Sequence, residues 1–156
     1  MTDADDALRL EIFIAAPPET VSTFFTDPEK MRRWFGVSHR LEPRPGGVFR
    51  VDVNNANIAA GRFTTVTPGR IVFTFGWESG GMAGIPAGST EVEIELRPEG
   101  AGTRLVLTHR GLSGEPRDRH RYGWQHYLAR LTFAGAGADP GRDPQIRETH
   151  TENGGA

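Results

Sequence analysis

Histidine is the side chain whose ordinary titration lies nearest neutrality, and five occur in this sequence: His39, His109, His120, His126 and His150. An imidazole beside a phenol can orient a carbonyl or exchange a proton with it, so a convergence of His109, His120 and Tyr127 would form the polar end of an apolar pocket. The plain alternative is that each histidine is a core or rim residue hydrogen-bonded to backbone or water. Metal chemistry finds no support. His120 and His126 lie on opposite faces of one helical pattern, no HExxH is present, and there is no cysteine. Neither a metal nor a cofactor is therefore expected. The missing cysteines also remove the thiolate nucleophile, and Ser113, within Gly111-Leu112-Ser113-Gly114, lacks the GxSxG elbow. The glycine runs GGMAGIPAG and GAGADPG do not join a predicted strand to a helix, as a phosphate-binding turn must. The first reads equally as a cavity gate, from Ser79 to Ser89, or as an idle hairpin. Arg110, Arg117, Arg119 and Arg121 could draw an anionic group toward the start of the last helix, with a solvated helix face, part-neutralised by Glu115 and Asp118, as the alternative. Arg117 lies nearest that helix's apolar stripe.

The elements that must position these groups follow from periodicity. Leu8, Leu10, Ile12 and Ile14 alternate with polar residues as in a half-buried strand. A helical hairpin follows: Pro17-Pro18 suits a helix start, with Val21, Phe24 and Phe25 at helical spacing, and Asp27-Pro28 starts a second short helix carrying Met31, Trp34 and Phe35. Turn signals at Pro45-Gly46-Gly47, Asn54-Asn55, Pro68-Gly69 and Pro98-Glu99-Gly100 then separate further strands. Charged residues fix each strand's parity. They turn His39, Phe49, Val51, Phe63, Phe73, Phe75, Trp77, Val92, Ile94, Leu105, Leu107 and His109 inward. From about Pro116 to Ala134 a helix collects His120, Trp124, Tyr127, Leu128 and Leu131 on one stripe, with His126, Ala129 and Phe133 opposite. The pattern predicts an α+β domain over residues 8–134: a curved seven-stranded antiparallel sheet, wet on one face, wrapped around one long C-terminal helix.

Composition sets the outer limits. With a net charge of −2 and a pI near 6.2, the chain has no basic field of the kind that binds nucleic acid. The glycine-rich, arginine-for-lysine usage, with Lys30 the single lysine, reads as coding bias. The acidic start MTDADDALRL has no apolar core and no run approaches a membrane span, so a cytoplasmic protein without membrane contact is expected. Residues 1–7 are predicted to be a flexible N-terminus and residues 135–156 a Gly/Pro-rich flexible tail, because neither holds enough apolar surface to offset ordering.

The motifs AAPPETVSTFFTDPEKMRRWF, PGGVFRVDV, TPGRIVFTFGW, GTRLVLTHRGL and GWQHYLARL, in this order, resemble the family of homologues of the activator of heat-shock-protein-ninety ATPase, within the START-like, helix-grip superfamily that also holds polyketide cyclases. The resemblance implies a cavity between the sheet and the long helix for a hydrophobic or amphipathic, often aromatic, small molecule. Trp34, Phe49, Phe73, His109, Gly123, Trp124 and Leu128 match recurrent family positions, none of them catalytic throughout the family. The expected ligand-binding set is Trp34, Phe49, Val51, Phe63, Phe73, Phe75, Trp77, His109, His120, Trp124, Tyr127 and Leu128. The leading functional expectation is non-catalytic binding. Two others stand beside it: a cyclase or dehydratase using His109 or His120, and a chaperone-associated protein. A homodimer is left open.

Overall fold

The computed structural model describes residues 7–79 and 84–147. Strand β1 (Leu8–Ile14) leads into helix α1 (Pro18–Thr26), which starts with proline at its first position. Asp27 both ends α1 and caps the one-turn helix α2 (Pro28–Met31), its carboxylate accepting the Glu29 N–H at 2.9 Å. Strands β2 (Ser38–Leu41), β3 (Val48–Asp52), β4 (Ile58–Thr67), β5 (Arg70–Phe75), β6 (Trp77–Ser79), β7 (Thr90–Glu99) and β8 (Gly102–Arg110) precede the 22-residue helix α3 (Gly114–Gly135). This is the expected α+β, helix-grip architecture.

The sheet runs β1-β8-β7-β5-β4-β3-β2, with neighbours antiparallel and β6 paired to β4. Eight strands are present among the described residues where seven were predicted. The extra one arises because the run from Ile71 to Trp77 is broken at Gly76. There the backbone passes against Pro86 so closely that any Cβ would overlap its carbonyl. Trp77 then leaves β5 and turns to Ala59, its N–H donating to Ile85 O at 2.9 Å. Irregular register in β4, between Phe63 and Thr65 and again between Ile58 and Ala59, accompanies the bend of the sheet around α3.

The inner face follows the charge-derived parity. Phe49, Val51, Phe63, Ile71, Phe73, Val92, Ile94, Leu105, Leu107 and His109 are buried against the stripe of α3 formed by Trp124, Tyr127, Leu128 and Leu131. The outer face is less wet than predicted. Val72, Val106, Thr108 and Glu93 are buried there too, Glu93 between Arg70 at 2.7 Å and Arg110 at 2.8 Å. Those guanidinium groups hold the Glu93 carboxyl below its usual range against the opposing effect of burial.

Past α3 the chain also differs from the expectation of a flexible tail. Residues 136–147 fold back along α3 as a strap. Arg130 Nη2 donates to Gly141 O at 2.9 Å. Asp143, buried, accepts from His126 Nε2 at 2.8 Å and from the Gln145 N–H at 2.9 Å. At the far end the Arg147 N–H donates to Asn54 O and Asn55 Nδ2 to Arg147 O, each at 2.9 Å. His126, expected to point into solvent, is thus half-buried under the strap. Residues 1–6, 80–83 and 148–156, which include His150, most of the expected N-terminal arm and the tip of the possible gate, lie outside the described residues.

Candidate functional site

Two indole-to-imidazole hydrogen bonds join the sheet to α3 in opposite senses. Trp124, on the helix, donates from Nε1 to His109 Nδ1 on β8 at 3.0 Å. Trp77, on β6, donates from Nε1 to His120 Nε2 on the helix at 3.1 Å. An indole can only donate, so each receiving nitrogen carries no proton, and the other nitrogen of each neutral ring must be the N–H. His109 Nε2 therefore donates to Thr90 Oγ1 at 2.8 Å, and that hydroxyl passes its own proton to Phe75 O at 2.7 Å. His120 Nδ1 donates to Pro116 O at 2.7 Å, one turn back on the helix.

Every nitrogen of both rings is thereby occupied. Burial, with a lesser push from His120, takes the His109 pKa down to about 3. Burial also lowers His120, helped by Arg119 and opposed by its bond to the Pro116 carbonyl. Both rings are neutral at neutral pH. Both rings thus spend their nitrogens on hydrogen bonds within the fold, tying the sheet to α3. Among the described residues no group of three His, Asp or Glu is placed to hold a metal ion.

Beside this cross-tie lies a cavity of about 150 Å³. Its apolar walls are Phe35, Val53, Phe75, Trp77, Trp124 and Tyr127. Its polar rim is made by Asn54, Asn57, Arg119, His120 and Gln145, with Gly123 between them. Asn54 shapes the β3–β4 turn, its side-chain oxygen accepting from the Asn57 N–H at 3.0 Å. The Tyr127 hydroxyl is buried beside the Asp143 carboxylate. Burial, and next the Asp143 carboxylate, raise its pKa well above the ordinary tyrosine value.

Of the twelve expected ligand-binding residues, Phe75, Trp77, His120, Trp124 and Tyr127 come together here. The others do not. Phe49 stacks on Phe73 at 4.0 Å with Phe63 edge-on to both, filling their end of the interior. Trp34 is sealed by its Nε1 donating to Phe24 O at 3.0 Å. Val51, Leu128 and His109 are fully buried behind the cavity wall. His120 and Tyr127 do share the site, whereas His109 lies behind it, its ring against Phe75, His120 and Trp124. Arg119, rather than Arg117, meets the cavity. The signal for it was present: Arg119, His120, Gly123, Trp124 and Tyr127 follow i, i+1, i+4, i+5, i+8 along one helix face. Asn54, Asn57 and Gln145 carried no such signal, since they belong to a turn and to the strap.

Against known proteins, residues 15–134 match the family described as "Activator of Hsp90 ATPase homolog 1-like protein". An AHSA1-like protein from Rhizobium etli, solved in solution, is 45% identical, with 92% of this chain and 89% of that one covered and a TM-score of 0.70. CalU16 from Micromonospora echinospora is 28% identical over 90% of this chain and 78% of its own, at a TM-score of 0.71. An HSP90 activator from Plasmodium falciparum, 22% identical over 81% of this chain and 93% of its own at 0.66, shares the fold. No curated protein matches. The chain belongs to the Activator of Hsp90 ATPase homolog 1-like family.

Proposed function

We propose that this family member holds a hydrophobic or amphipathic small molecule, with an apolar part about one aromatic ring in size, and carries out no chemistry on it. The observation that carries this reading is the ring-walled cavity at which both nearby imidazoles already have their nitrogens taken by indoles and by main-chain or threonine oxygens. Size supports it as well. A volume of about 150 Å³ is that of an apolar protein cavity that accommodates benzene. Walls of phenyl and indole favour a flat ring, which they can meet edge-on or offset.

The test is a titration with toluene and with indole, followed by thermal shift and by amide chemical shifts. Saturable binding is expected, with shifts confined to Phe35, Phe75, Trp77, Trp124 and Tyr127, and a rise in Tm that grows with ligand concentration. If neither probe moves those amides at millimolar concentration, the reading is wrong. A catalytic reading would require an aromatic polyketide-like compound to be turned over. A cochaperone reading would require the chaperone to co-purify.

A further inference from the structure

Gly123 sits in the interior of α3, where glycine is less favourable than alanine because it loses more backbone freedom on folding. Glycine is usually tolerated at such a place because a neighbouring element passes too close for a side chain. That reason fails here. A Cβ built at Gly123 meets nothing within 4 Å beyond its own stretch of helix, and its φ is not in the left-handed region. The space left is where two hollows meet. Gly123 lines the ring-sized cavity on one side and, on the other, an open groove of about 430 Å³ bordered by Asp118, Arg119, Tyr122 and Gln145. Arg119, Gly123 and Gln145 are common to both. Tyr122 stands 72% exposed along the groove, a large ring that the fold leaves uncovered. Arg119 makes no ion pair with any described residue, unlike most arginines of the sheet.

Resting on the binding reading above, we propose that Gly123 is the sill over which a longer ligand leaves the cavity: an aromatic head lies between Trp77 and Trp124, and a flexible chain crosses the bare helix backbone to place an anionic end at Arg119. The ligand class is then an aryl-alkyl carboxylate or a similarly shaped anion. The missing side chain sets which ligands fit, because only a bare backbone lets the chain run over the helix without lifting the head out of its slot.

The probes are toluene, 5-phenylpentanoate and 5-phenylpentan-1-ol, measured by calorimetry against the unaltered protein and three variants. The unaltered protein is expected to bind 5-phenylpentanoate at least tenfold more tightly than toluene. Gly123→Leu should remove most of that gain, so that within this variant 5-phenylpentanoate binds no more than about threefold more tightly than toluene. Gly123→Ala should raise Tm by a few degrees, since the helix gains and nothing clashes, yet weaken 5-phenylpentanoate about threefold; it serves if the leucine variant fails to fold. Arg119→Gln should weaken the carboxylate at least threefold and leave the alcohol unchanged. Toluene binding with no gain from the chain, or a gain indifferent to position 123, overturns the sill and leaves the cavity reading intact. Absence of toluene binding overturns the cavity reading itself. An equal loss of alcohol and carboxylate in Arg119→Gln overturns the anionic end.

Discussion

At one end of the interior Phe49 and Phe73 stack at 4.0 Å with Phe63 edge-on beside them, whereas at the other Phe75, Trp77, Trp124 and Tyr127 stand around about 150 Å³ of open space. Both ends are aromatic and both lie between the same sheet and helix. The difference is in the polar handles. Phenylalanines have nothing to anchor them except one another, so they close until they touch. The two indoles are each tethered by one N–H to a histidine across the gap. Each indole is thus fixed by its bond to a histidine as well as by edge-on or tilted contacts with Phe35 and Phe75, at centroid distances of 5.4 to 5.9 Å. Counting aromatic residues thus overstates a pocket; in this interior the space lies beside the two indoles tied to histidines, while Trp34, tied to a main-chain carbonyl, is packed in.

Three measurements sharpen or break this contrast. The largest effect should come from the closed end. Phe73→Ala is expected to cost about 3–5 kcal/mol in denaturant unfolding, since a well-packed stack cannot collapse around the hole. A loss under about 1 kcal/mol would show that this end is as loose as the other.

The second concerns the tether. The His109 pKa is lowered to about 3 in the fold from an ordinary 6.5, so between these values the unfolded chain binds the extra proton and stability falls as pH is lowered. His39 and His120, also lowered, act in the same direction. The His109 contribution is at most about 1.4 kcal/mol per pH unit. His109→Gln keeps an acceptor for Trp124 and should flatten unfolding free energy against pH between 6 and 4. An unchanged slope would mean that His109 is not the proton-excluding group.

The smallest effect is at the open end. Trp77→Phe removes one N–H bond from a half-buried site and should cost about 1 kcal/mol by denaturant unfolding. It should also free His120 Nε2, seen as a changed imidazole 15N shift. A Trp77→Phe loss as large as that of Phe73→Ala would erase the distinction between the two ends.

Much of the fold was legible because charges mark parity. Arg50 with Asp52, and Glu91 with Glu95, leave their intervening neighbours no choice of face, and the helical hairpin announces itself through Asp27-Pro28. What escaped notice depends on contacts distant in sequence. The break at Gly76 is dictated by Pro86, which no local pattern reveals. The strap is held by single polar contacts such as His126 to Asp143, and a segment with one large aliphatic, Ile146, shows no periodicity to read. At the site the helix face was legible through Trp124 and Tyr127. The opposite rim at Asn54 was not, because a turn residue's identity reports its own backbone and not what lies across from it.

The two indole bonds between sheet and helix restrain more than distance. Apolar faces in contact resist separation but offer little resistance to one cylinder turning on its axis. Here two hydrogen bonds at separate points, Trp124 to His109 and Trp77 to His120, tie α3 to the sheet, and turning the helix would have to lengthen or bend them. The helix is keyed in azimuth, like a shaft held by two pins.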